Sequence, residues 1–261
     1  MKSTSPAISI FIILFMCTAH LAMAQSQEWE ENAQFGVDVG GAPDLSAQVF
    51  QPLSYERFMI LTSDKFSTPL LLDLSKKRVQ TLKSSAVKIE GSFLKSSGIP
   101  AGKDAGGYTV KGGVTTFKAQ GKTVSITIRQ TLVGEVAPEI ILAHSPDYVL
   151  RKKAYTPKAK AISFLKSYKK KTDIVVMFAT WCSTCKVVLP RIMRILGDAN
   201  NPQFTVRYIG IAMGGNEPAE ELERYGHDYP ALIVYQNGKE VDRIIGDPPG
   251  AIEDAFVNIL K

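Results

Sequence analysis

The chain is predicted to fold as an α/β domain, a sheet covered by helices, preceded by a smaller mainly-β domain. Three observations carry this. Its 261 residues, 45% apolar and 21% charged, are enough for one large or two ordinary domains that each bury a core. Between about residues 47 and 145, short apolar runs alternate with turn residues, the pattern of strands. Near residue 156 the period changes, and helical and strand patterns follow in the order α-β-α-β-α-β-β-α.

The N-terminus reads as an address. Lys2 supplies a positive start, residues 8–16 form an apolar stretch too short to cross a bilayer, and Ala22-Met23-Ala24 is a small-x-small cleavage site. Residues 1–24 are therefore expected to be a signal peptide, which predicts export to the periplasm or the extracellular space. A lipoprotein signal at Cys17 competes, but the bulky Phe15 and Met16 before it suit lipidation poorly. No later apolar run has the length of a transmembrane helix. Cleavage removes Cys17, leaving two cysteines of the three.

Residues 25 to about 45 show little periodicity and are expected to form a flexible lead-in. Arg57-Phe58-Met59-Ile60-Leu61 and Leu70-Leu71-Leu72-Asp73-Leu74 are predicted strands bounded by turn residues. In 122–129, Val124, Ile126 and Ile128 face one side and Ser125, Thr127 and Arg129 the other. Gln120-Gly121 joins that strand to 114–118 as a tight turn. Six glycines from Gly98 to Gly113 mark loops, and no long amphipathic helix is evident. Residues 25–150 thus form the mainly-β domain, with no role assigned.

In 155–261, Thr156-Pro157 predicts a helix start, with Ala161, Phe164, Leu165 and Tyr168 on one face. A strand over 173–179 leads to a helix over 182–196 that Gly197 is expected to close. A strand over 204–212 and a helix over 217–225, ended by Gly226, follow. Asn237-Gly238 between 231–235 and 240–245 is a strong hairpin signal. Asp247-Pro248-Pro249 is expected to cap a last helix running to Leu260.

Trp181-Cys182-Ser183-Thr184-Cys185-Lys186 carries the chemistry. It places two thiols on the first turn of a helix that follows a strand. The unpaired N–H groups and positive dipole end there stabilise a thiolate at Cys182. Cys185 lies one turn on, within reach of a disulfide. A zinc half-site would need two more ligands at similar spacing, and the mature chain offers no other Cys and only His144 and His227. A structural disulfide closing so short a loop constrains the unfolded chain little. The net charge of +6 is concentrated in 151–171, with nine Lys or Arg and no Asp or Glu; it reads as a solvated linker and helix face. Export argues against nucleic acid as a partner.

Phe178-Ala179-Thr180-Trp181-Cys182-Ser183-Thr184-Cys185-Lys186, Pro190, Tyr229-Pro230-Ala231-Leu232, Gln236-Asn237-Gly238-Lys239 and Gly246 together resemble the thioredoxin superfamily over about 155–261. With the export signal, the resemblance is closest to exported proteins of the TlpA and ResA kind. It implies thiol–disulfide exchange, with Cys182 as nucleophile and Cys185 as resolving thiol. It also implies a cis Tyr229–Pro230 bond beside the thiols, and client contacts at Trp181, Tyr229 and Pro230. Two departures stand out. Cytosolic thioredoxins carry a buried Asp where this chain has Val176, and ResA-like proteins a Glu where it has Val188. The proton acceptor for Cys185 is therefore unassigned, with His227, Lys186 and water as candidates.

The expected function is an exported oxidoreductase that reduces protein disulfides and is recharged by a membrane electron donor. Its partners are client proteins with disulfides or thiols; no metal or other cofactor is implied. A DsbA-like oxidase or isomerase is one alternative, although 200–226 leaves no room for that kind's helical insertion. A non-catalytic binding protein on the same scaffold is another.

Overall fold

The computed structural model describes residues 26–53 and 57–261. The expected signal, residues 1–24, lies outside them. Twelve strands among the described residues form one antiparallel sheet. They are β1 (Ser26–Glu31), β2 (Phe35–Val39), β3 (Ala42–Pro43), β4 (Gln48–Pro52), β5 (Phe58–Thr62) and β6 (Leu70–Asp73). The rest are β7 (Arg78–Thr81), β8 (Val87–Glu90), β9 (Phe93–Ser97), β10 (Lys103–Lys111), β11 (Val114–Ala119) and β12 (Lys122–Ile128). Their order is β3-β2-β12-β11-β10-β7-β6-β5-β4-β1-β9-β8.

The apolar runs in β5 and β6 are continuous because both faces are covered. Met59, Leu61, Leu70 and Leu72 enter one buried cluster, and Ile60 and Leu71 enter another with Trp29, Phe50, Leu82 and Leu94. Alternation sends successive side chains to opposite faces. The hairpin at Gln120-Gly121 forms as expected, with both residues at positive φ.

Three expectations for this region are corrected. Residues 26–43 are not a flexible lead-in but form β1, β2 and β3, anchored by Trp29, which is fully buried and donates its indole N–H to Ser96 Oγ at 2.8 Å. The glycines from 98 to 113 do not mark loops alone, since Gly106 and Gly107 lie inside β10, where a register shift between Asp104 and Gly106 accommodates them. With these strands added, the β-rich region is the larger of the two, not the smaller.

The second sheet has the order β13-β15-β14-β16-β17, built from β13 (Gly134–Glu135), β14 (Thr172–Phe178), β15 (Phe204–Gly210), β16 (Ala231–Gln236) and β17 (Lys239–Ile245). Only β14 and β15 run parallel. The helices are α1 (Pro138–His144), α2 (Pro146–Ala154), α3 (Ala159–Ser167), α4 (Ser183–Ala199), α5 (Ala219–Tyr225) and α6 (Ile252–Leu260). Helices α1 and α2 are an addition to the expected set, each opened by a proline whose missing N–H costs nothing there. Val136, Ile141 and Tyr148 are buried in the C-terminal core, and β13 pairs with β15. Residues 134–154 therefore pack with the C-terminal unit.

Helix limits shift for identifiable reasons. α3 starts at Ala159 rather than Thr156, because the buried carboxylate of Glu253 in α6 accepts from the Lys158 N–H at 2.8 Å and the Tyr155 hydroxyl at 2.6 Å. α4 runs past Gly197 to Ala199, since Leu196 and Ala199 are buried, and Asn200 makes the left-handed cap at φ 38°. α6 begins at Ile252, three residues after the proline pair. The Asn237-Gly238 turn has φ of 52° and 75°, as a two-residue hairpin requires.

Candidate active site

Strand β14 is buried along most of its length, and its C-terminal end delivers the chain to the dithiol turn. Cys182 caps α4: its Sγ accepts from the Cys185 N–H at 3.2 Å. A sulfur in the N-cap position faces the orphan N–H groups and the positive end of a 17-residue helix. Cys185 is fully buried, and its Sγ accepts from the Ala179 N–H at 3.4 Å. Both cysteines are free thiols.

The two sulfurs are electrically unequal. The Cys182 thiol is held below its ordinary range, chiefly by its hydrogen bond with the Cys185 side chain. Burial opposes this, and the N–H groups of Cys185 and Thr184 reinforce it. The Cys185 thiol is pushed well above the ordinary value, first by burial and then by its hydrogen bond to Cys182 and that sulfur's charge. Cys182 is the partly exposed member of the pair. One sulfur is thus poised to ionise and meet a reactant, the other to hold its proton in reserve.

Trp181 and Tyr229 flank the turn as half-buried rings in edge-to-face contact, centroids 5.2 Å apart. The Trp181 indole N–H donates to the Ile211 carbonyl at 3.3 Å. Tyr229 is close enough for both cysteines to help raise its phenol pKa, after burial as the leading cause. The Tyr229–Pro230 bond is cis, and the buried Pro230 leads into β16, its carbonyl accepting from the Gly246 N–H at 2.8 Å. Trp181, Cys182, Cys185 and Tyr229 are thus brought together at one end of the sheet, with Pro230 next in the chain.

His227 is exposed in the loop before Tyr229. Lys186 is not placed to accept a proton from the thiols. It is buried and its Nζ points into the β domain, 3.3 Å from Glu31 Oε1 and 3.1 Å from the Ala47 carbonyl. Val176 and Val188 are both buried, so neither acid of the related proteins has a substitute at its position.

The β domain reaches the site, which sequence reasoning missed. The Ala33 N–H donates to the Trp181 carbonyl at 3.0 Å. Ser183, inside the Cys-x-x-Cys, donates its hydroxyl to Ser92 Oγ at 2.6 Å. Tyr148 of α2 is buried near the thiols, and Cys185 contributes, after burial, to raising its phenol pKa. Trp29 is the lone apolar residue of 26–31, so no alternation signalled that strand.

An N-capping, partly exposed thiol paired with a buried one at the end of a helix-covered sheet defines a dithiol redox protein. The thioredoxin family model matches residues 154–258. Thioredoxin-2 of Saccharomyces cerevisiae is 32% identical over 88 residues, 34% of this chain and 80% of that protein. Thioredoxin of Mycolicibacterium smegmatis is 33% identical over 76 residues, 29% of this chain and 66% of that protein. Through its C-terminal region the chain belongs to the thioredoxin family. The β-rich region lies outside the family-model match.

Proposed function

We propose that this protein is an exported thiol–disulfide oxidoreductase of the TlpA/ResA-like kind, reducing disulfides of client proteins and recharged by an electron donor in the membrane. The observation that carries the reading is the asymmetry of Cys182 and Cys185 on the first turn of α4. The signal-like residues 1–24 support export.

The Cys182 thiolate attacks one sulfur of a client disulfide. A mixed disulfide forms and the other client sulfur leaves as a thiolate. The charge on Cys182 is consumed in that step. Of the causes that keep Cys185 protonated, burial remains, while the charge and hydrogen bond of the Cys182 sulfur weaken. Cys185 then yields its proton to the departing client thiolate and attacks Cys182 Sγ. The second client thiolate is released and the Cys182–Cys185 disulfide closes. Two electrons pass from the pair to the client. Trp181, Tyr229 and Pro230 are the residues we assign to client contact.

The test is a trapping experiment on the mature protein. Cys185→Ser should accumulate mixed disulfides through Cys182, seen as reductant-sensitive adducts by mass spectrometry. Cys182→Ser should give none. Equal trapping by both variants would overturn the assignment.

A further inference from the structure

Three contacts fix the β domain against the dithiol turn: Ala33 N–H to the Trp181 carbonyl, Ser92 to Ser183, and Glu31 to Lys186. They set one edge of that domain beside the opening through which Cys182 meets its reactant. Glu30 directly precedes the first of these anchors, on the face of β1 opposite Glu31, and is exposed where Glu31 is buried. Its cross-strand neighbour on β9 is Phe93, which is 44% exposed. Side chains paired in this way share a face.

Around Glu30 the charge balance is one-sided; the half-buried Arg129 guanidinium lies against Gly36 and near Tyr148. Lys186, the cation nearest in sequence to the thiols, is neutralised by Glu31. Lys95, the cation on the same face of β9, is engaged by Glu28 and Glu90 at 3.8 and 2.9 Å. Among the described residues no Lys or Arg pairs with Glu30. Its carboxylate lies close enough to oppose ionisation of both Cys182 and Tyr229. The Cys182 thiolate adds a second negative charge, and the Trp181 and Tyr229 rings add π-faces that attract cations. An uncompensated carboxylate, a thiolate and two aromatic rings around one opening are complementary to a positive charge.

We propose that the β domain forms one wall of the client-binding mouth, and that Glu30 makes it select clients carrying a lysine or arginine beside the disulfide to be reduced. This rests on the dithiol reading above and names its substrate class. An acidic residue at the same client position is disfavoured. The remaining apolar contact of the client falls on Phe93 and the two rings.

The experiment uses the mature protein, pre-reduced, in single turnover against two synthetic peptides. They are identical except for Lys or Glu next to the cysteine, and each is joined in a mixed disulfide to 2-mercaptoethanol. Every rate is divided by the rate of the same peptide with dithiothreitol, which removes differences in intrinsic disulfide reactivity. Comparing two peptides on one protein also cancels any change in Cys182 nucleophilicity. The wild type should prefer the Lys peptide by about fivefold at low salt, the upper end for an exposed charge pair. That preference should shrink as ionic strength shortens the screening length. Glu30→Gln should cut it to about twofold or less, Glu30→Asp should keep most of it, and Glu30→Lys should reverse it. A preference near one in the wild type, or one that survives in Glu30→Gln, overturns the proposal. Bis(2-hydroxyethyl) disulfide, which is uncharged, separates the two readings. If folded wild-type protein cannot reduce it, the dithiol reading fails and takes this one with it.

Discussion

Removing Glu31 should destabilise the protein more than any surface charge would. Its side chain is 7% exposed and that of Lys186 is 9% exposed, so the pair is shielded from water that would otherwise solvate either charge alone. Gln48 Nε2 donates to the second Glu31 oxygen at 2.8 Å, and the Ala47 carbonyl accepts from Lys186. Glu31→Ala leaves the Lys186 ammonium buried with one neutral acceptor, and breaking a buried pair from one side costs about 3–5 kcal/mol. At roughly 2–4 °C per kcal/mol for a protein of this size, that is a fall in Tm of at least about 6 °C. Lys186→Met should cost somewhat less, because Gln48 still donates to the stranded carboxylate. The double variant Glu31→Leu/Lys186→Met removes both charges and should recover most of the loss, since replacing a buried pair by apolar groups is often close to neutral. Urea unfolding followed by tryptophan fluorescence is the assay, with Trp29 in the β sheet and Trp181 at the dithiol reporting on both units. A single variant within 1 kcal/mol of wild type would refute the reasoning. So would a double variant whose cost equals the sum of the two singles.

Iodoacetamide should label Cys182 before Cys185 in the reduced protein, with a titration midpoint below the roughly 8.5 of a free thiol. Fast labelling at Cys185 would reverse the roles. Glu253→Ala strips a buried acceptor from the Tyr155 hydroxyl and the Lys158 N–H and should cost about 2–4 kcal/mol in urea unfolding. Glu253→Gln, which can still accept from one of them, should cost about half as much. The Cys182–Cys185 couple should equilibrate with a glutathione series on the reducing side, and a midpoint near the roughly −120 mV of a DsbA-type protein would refute this.

What was legible in the sequence is what local physics decides. Asn237-Gly238 imposes positive φ at two adjacent residues and so forces the hairpin between β16 and β17. Cys182 and Cys185 occupy the first turn of α4 because the strand pattern ends at Phe178 and the helical one starts just beyond. Local patterns failed where partners lie far away in sequence. Trp29 is flanked by polar residues and reads as a solvated stretch until β4 and β9 cover it. Glu31 and Lys186 are 155 positions apart, and nothing local to either signals a buried ion pair. Gly197 looked like a helix end because glycine favours one, but burial of Leu196 and Ala199 carries α4 past it.

The same long-range contacts bear on the direction of electron flow. A thiol pair becomes a strong oxidant when its reduced form is stabilised by charge at the nucleophilic sulfur. The turn itself supplies such stabilisation, through the N–H groups of Thr184 and Cys185 and the hydrogen bond from the Cys185 side chain. A lysine directly after Cys185 would be expected to add more, yet its charge is spent on Glu31 inside the β domain. Glu30, from the same strand, works against the thiolate. Burial among apolar side chains, with valines at 176 and 188, keeps Cys185 protonated and withholds a second charge from the site. The β domain therefore removes one favourable charge and adds one unfavourable charge at the dithiol. Both changes work against the reduced thiolate form, the direction that the reductant role we propose requires.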